Sequence, residues 1–318
     1  MPLLRPLLLL WILFQQPCSA EKPAPFVHPG VLHSTSELNF VRDKIASGEE
    51  PWASAWQALI THRWASLEHK SRAHPDVVRG RRGKNNVGMR ELMDDSAAAY
   101  THALHWSMSG ESAHADKTIE ILNDYARTLK SIEGHDARLL VGITGIHFVN
   151  AAELIAHGEA GWGATDRERF GRMLREVLYP VIENFYPTAN GNWDASMIQT
   201  MMAIGVFLDD RTIYQRGADY FLNGRGNGRL INYVKPSGQC QESGRDQHHT
   251  LMGLGYLASA AEIARNQGLD LYREAGNRLA AAFEYCAKYG LGHEVPFERF
   301  VSVDGQYDHD RISEVGRG

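Results

Sequence analysis

What the chain lacks narrows it first. It has no run of alternating Val, Ile and Thr, so the period-2 signal of a strand-rich domain is missing. It has 3 cysteines, and Cys18 falls in an N-terminal targeting stretch. Cys240 and Cys286 are left; they could pair in an oxidising compartment or stay as two buried thiols. Excess positive charge is missing too. A net charge of −5 argues against a nucleic-acid binder. It does not exclude an anionic substrate, because a local basic cleft is enough. There is no Gly-rich phosphate loop before a helix and no nucleophile elbow. No Cys or His spacing makes a zinc site, and His28 and His33 stand isolated. Neither a metal nor a cofactor is therefore expected.

Beyond the N-terminus no segment reads as a membrane span. The N-terminus itself reads as a signal peptide over residues 1–20. Arg5 gives a positive start, Leu7 to Phe14 is an unbroken apolar run, and Pro17-Cys18-Ser19-Ala20 ends in small residues. A run of this length is too short to span a bilayer. A secreted or periplasmic protein is expected, with residues 21–318 as one domain. Its 43% apolar content can build a sizeable core.

Helix signals dominate that domain. Ser34-Thr35-Ser36-Glu37 starts a helix by capping-box logic, since the hydroxyl and the carboxylate can satisfy each other's free amides. Further helices are predicted at about 51–68, 90–109, 112–131, 138–157, 166–184, 193–208, 211–222, 247–266 and 270–289. Three pairs of these are joined by short turns, at Ser109-Gly110-Glu111, Asp209-Asp210-Arg211 and Asn266-Gln267-Gly268. Each reads as a helical hairpin. Hairpins stacked around an axis predict an all-α fold, an incomplete α/α toroid. The Gly-rich stretch 224–238 reads as a long functional loop. The basic stretch Arg79 to Asn86 reads as a surface loop or as a cleft edge that attracts a polyanion.

Two polar clusters stand at helix starts. Gln239 to His249 packs Glu242, Arg245, Asp246, His248 and His249 just before an apolar helical run. Such a mixture can hold a carboxylate and move a proton. Asn190-Gly191-Asn192-Trp193-Asp194 opens another helix. One of its two asparagines is expected to cap that helix. Trp193 could stack on a sugar ring.

These clusters, with Phe26 to Val31, Ala103 to Trp106, Asn150 to Glu153, Gly205 to Asp210 and Asn266 to Tyr272, resemble the alginate lyase superfamily of polysaccharide lyases. The resemblance runs in order along nearly the whole of residues 21–318. It implies an α/α toroid and β-elimination on an anionic polysaccharide, a uronate polymer such as alginate or glucuronan. The C5 proton of a uronate is weakly acidic, so elimination needs the neighbouring carboxylate neutralised. Asn192 and Arg245 are the candidate neutralisers. Glu242 is expected to orient Arg245, with Arg245 in a structural ion pair to Glu242 or Asp246 as the plainer reading. The resemblance favours His249 as the key imidazole. His248, Asp246, Asn190 and Trp193 are expected to line the substrate cleft. The base is open. Tyr256 lies two helical turns after His249, but in an apolar run that suits core packing. Related chains carry a tyrosine nearer their C-terminal end; here the final residues read as lacking such a tyrosine and any closing element, so the domain is expected to be truncated there.

Two other readings compete. A glycoside hydrolase on the same toroid would pair carboxylates from Asp194, Glu242 and Asp246. A uronate-binding protein without catalysis would follow from a missing base.

Overall fold

The computed structural model describes residues 24–316. The targeting stretch 1–20 lies outside the described residues.

Helices form almost where the periodicity places them. The first two are α1 (Thr35–Ala46) and α2 (Trp52–Thr61). The Ser34 side chain caps α1, and Glu37 completes the capping box. The pairs that follow are α3 (Met89–Ser109) with α4 (Ser112–Thr128), and α5 (Ala137–His157) with α6 (Ala164–Met173) and α7 (Tyr179–Ile182). A π-helical turn at Leu174–Leu178 joins α6 to α7. Next come α8 (Gly191–Phe207) with α9 (Arg211–Asn223), the short α10 (Leu230–Tyr233), and α11 (Gln247–Asn266) with α12 (Glu274–Gly290). The three expected hairpins, α3–α4, α8–α9 and α11–α12, are all present, and α5 with α6 and α7 adds another.

The helices α3, α5, α8 and α11 form an inner row, each packed on the next. They run parallel. Gly142 and Gly145 of α5 sit where a Cβ would meet Ser196 at 2.2 Å and Thr200 at 2.5 Å in α8, so glycine permits this close approach. Along α8 almost every residue is buried, from Gly191 to Val206. It has no solvent stripe because helices cover it all round. The partner helices α4, α9 and α12 lie outside. This is the α/α toroid expected from the hairpins.

Four short strands were not expected. β1 (Asp76–Val78) pairs in parallel with β2 (Ser131–Glu133), and β3 (Phe300–Val301) pairs antiparallel with β4 (Asp308–His309). The first pair carries the basic stretch. The second lies near the C-terminal end of the described residues. That hairpin packs on the turn Gln241–Gly244, where Gly244 faces His309 so closely that a Cβ would come within 2.4 Å. The Gly-rich stretch is also more ordered than expected, because α10 lies inside it. Cys240 and Cys286 are both free thiols.

Parallel inner helices give the toroid two unlike ends. At one end sit the starts of α5, α8 and α11. At the other, the chain from Phe26 to Ser34 crosses the ends of the same helices. There Asn150 accepts from the Leu32 amide, Asn266 donates to the Val31 carbonyl, and His28 contacts Glu153 at 2.5 Å. His28, isolated in sequence, is therefore not isolated in space.

Candidate active site

The end that gathers the helix starts carries the two polar clusters. Helix N-termini present unpaired amides and a partial positive charge, which favours an anionic ligand. The turn Gln241–Gly244 is locked to the start of α8: the Gly191 amide donates to Gln241 Oε1 at 2.7 Å. Gly253 of α11 packs over the same point. A Cβ there would lie 1.9 Å from the Tyr233 hydroxyl.

Arg245 is the centre of the network. Its Nη1 donates to Glu242 Oε1 at 2.6 Å, and its Nη2 lies 2.9 Å from His249 Nε2. His249 in turn meets Asp246 through Nδ1 at 2.7 Å. With Nδ1–H donated to Asp246, Nε2 holds a lone pair for Arg245 to approach. Burial and the Arg245 charge hold His249 below the ordinary imidazole range, against the pull of Asp246. It is neutral near pH 7. Asp246 also caps α11, accepting from the His249 amide at 2.7 Å. Burial works against its ionised form, but the His249 hydrogen bonds outweigh it and the carboxyl stays below its usual range.

Glu242 is fully buried. It accepts from the Tyr233 hydroxyl at 2.6 Å as well as from Arg245. Burial lifts its pKa to about 7 even though both partners favour the carboxylate. Near neutral pH it therefore sits at its titration point, and its grip on Arg245 depends on pH. Arg245 is ion-paired, as the plainer reading has it, and about a third of its side chain is still exposed to solvent.

Neither asparagine caps α8 with its side chain. Asn190 stands at the cap position without a side-chain cap bond, and Asn192 lies inside the first turn. This corrects the expectation that one of them is a cap. Instead Asn190 Oδ1 and Asn192 Oδ1 are buried without a hydrogen-bond partner among the described residues, as are Gln241 Nε2 and His309 Nε2. A buried polar atom left unpaired costs about 1–3 kcal/mol. Several such atoms gather around the start of α8 and the turn Gln241–Gly244.

Two residues that sequence reading missed or misplaced belong here. Tyr307, in the turn of the β3–β4 hairpin, lies within charge range of Arg245 and Glu242, and the Asn190 backbone faces its hydroxyl. Burial and Asp304 raise its pKa; Arg245 and the Asn190 backbone pull against them. The sequence reading overlooked this tyrosine, which stands six residues before Ser313. Nothing in the local sequence marked it, because only the hairpin brings it to Arg245. Arg79, on the basic stretch, has a buried Nη1 without a partner among the described residues, and lies within charge range of Tyr256.

The remaining candidates sort by contact. Tyr256 is half-buried and packs on the main core; burial pushes its pKa to about 12. Trp193 is half-buried and edge-on to Tyr186 and His135. His248 is exposed and turned away. It lines a separate hollow of about 310 Å³ with Leu251, Cys286 and Tyr289, so it does not join the cleft. Asp194 is buried under the site: its oxygens accept from the Tyr186 amide at 2.7 Å and the Tyr220 hydroxyl at 2.6 Å.

The fold has known counterparts. An alginate lyase from Bacteroides ovatus superposes with a TM-score of 0.63 at 16% identity, over 83% of this chain and 84% of that one. Alginate lyase A1-III from Sphingomonas species A1 gives 0.59 at 17%, over 80% and 76%. A variant of the latter complexed with a tetrasaccharide gives 0.57 at 17%, over 80% and 77%. No curated protein sequence matches. The sequence profile of the alginate lyase family matches residues 46–297, well over half the chain, and so this protein belongs to the alginate lyase family.

Proposed function

We propose that the chain cleaves a uronate polymer, of the alginate or glucuronan type, by β-elimination at the cleft around Arg245. The observation that carries this reading is the placement of Arg245 between Glu242 and His249, beside unpaired Asn192 and the Tyr307 hydroxyl. Arg245 and Asn192 take the uronate carboxylate and stabilise the charge that develops on it. His249, steadied by Asp246, and Glu242 fix the guanidinium. The phenolate form of Tyr307 removes the C5 proton, a C4–C5 double bond forms, and the C4–O bond breaks. The phenol then returns a proton to the leaving glycosidic oxygen. Donors placed at the developing charge are each worth about 10²–10³ in rate, and the proton transfers about 10²–10⁴.

The hydrolase reading needs two carboxylates flanking a sugar. Asp194 and Glu242 are buried and engaged, and Asp246 holds His249. No free pair faces the cleft among the described residues. The binding-only reading rested on a missing base, a role this proposal gives to Tyr307.

Incubating the protein with alginate, glucuronan and a neutral glucan tests the proposal. Absorbance near the ultraviolet edge, from the new double bond, is expected to rise with a polyuronate and not with the glucan. New reducing ends without that absorbance would mean hydrolysis, and neither signal would mean binding alone.

A further inference from the structure

At the end of the toroid away from the cleft, a second cluster forms from parts distant in sequence. His28 comes from the crossing N-terminal segment, and Glu153 and His157 from the last two turns of α5. Glu153 stands 16 residues along α5 from Ala137, on the order of 24 Å from the cleft end at 1.5 Å per residue. The binding atoms of the three side chains all lie within 4.8 Å of one another. The two imidazoles stack, 4.3 Å between centroids, with Glu153 at their edges.

Three observations point to a cation. First, Glu153 is buried, and its Oε2 has no hydrogen-bond partner among the described residues; the nearest cationic candidate, His157 Nε2, is 3.9 Å away. Second, Asp209 Oδ1 lies 3.3 Å from His28 Nε2. If Nε2–H donates to Asp209, the His28 Nδ1 lone pair faces Glu153 Oε1 at 2.5 Å. A proton fits between two acceptors at that distance, and an ion held at about 2.0–2.2 Å from each would need them to part. A carboxylate on the far nitrogen is also how metal-bound histidines are usually oriented. Third, the C-terminal ends of α5 and α8 meet here, and helix C-termini favour cations.

We propose that His28 Nδ1, the Glu153 carboxylate and His157 Nε2 form a site for a divalent transition-metal ion of the zinc class. Two imidazole nitrogens and one carboxylate are the donor set zinc takes, with a fourth position left for water. His157 reaches the site from the wall of a cavity of about 550 Å³, which gives an entry path. The bound ion would tie the N-terminal segment to the inner helices. The competing account is a protonated His28 bridging Glu153 and Asp209 with no metal.

The test is calorimetric titration of zinc chloride into the untagged, chelator-treated full chain, with the melting temperature measured in parallel. One equivalent is expected to bind and to raise the melting temperature. His157→Ala, a half-exposed position, is expected to keep the fold, weaken binding by about tenfold or more and abolish the melting shift. Asp209→Ala is expected to weaken it by about 10–100-fold, the scale for a supporting carboxylate. His114→Ala, in the separate His105–Glu111–His114 cluster, is expected to change nothing. No binding by the wild type, unchanged binding in His157→Ala, or loss only in His114→Ala would overturn the proposal.

Discussion

At the residue scale the site turns on one buried carboxylate. Glu242 holds Arg245 only when ionised, and its pKa is about 7 because burial outweighs its two hydrogen bonds. Turnover is therefore expected to fall as pH drops through about 7, as Glu242 gains a proton and releases Arg245. Stability runs the other way. A carboxyl whose folded pKa is raised favours the fold most below its unfolded value of about 4.5, and that contribution is lost as pH rises through about 7. Glu242→Gln keeps the shape without the charge. It is expected to lower turnover at pH 8 by about tenfold or more, as for a weakened transition-state donor, and to flatten both pH dependences. Rate and melting profiles across pH 5–9 check this. An unchanged acid limb in the variant would assign it to another group. Much of this was legible in sequence, because Glu242, Arg245, Asp246 and His249 lie within eight residues and one local turn. The role of His248 was not legible. Adjacent residues on a helix point about 100° apart, and only the fold shows which one faces inward.

At the scale of elements, helix starts and hairpin turns were readable from caps and periodicity, while the small strands were not. β3 and β4 have two residues each, too few for an alternation signal. Yet this hairpin brings Tyr307 to Arg245. Tyr256, by contrast, is carried on an apolar face of α11 and packs on the core. The two tyrosines can be told apart by removing one hydroxyl at a time. Tyr307→Phe is expected to cut turnover by about 10²-fold or more, the scale of a lost acid–base group, with substrate binding retained. Tyr256→Phe is expected to stay within a few-fold of wild type. The reverse order, measured with both variants folded by circular dichroism, would move the base to α11.

At the scale of the whole molecule, the toroid puts inner-helix starts at one end and inner-helix ends at the other. The proposed anion and cation sites are where each helix dipole favours them. The hairpin pattern made the toroid legible. The polarity of its two ends was not, because it depends on the inner helices running parallel. The second cluster was unreadable for a plainer reason: 125 residues separate His28 from Glu153. Elimination of a polyuronate at the Arg245 end would leave a signature in product mass. Mass spectrometry of the oligosaccharides released from a defined polyuronate tests it most directly. Elimination adds no water, so the masses of the two fragments are expected to sum to that of the parent, with one fragment unsaturated. Fragments whose masses sum to the parent plus one water would show hydrolysis and contradict the account.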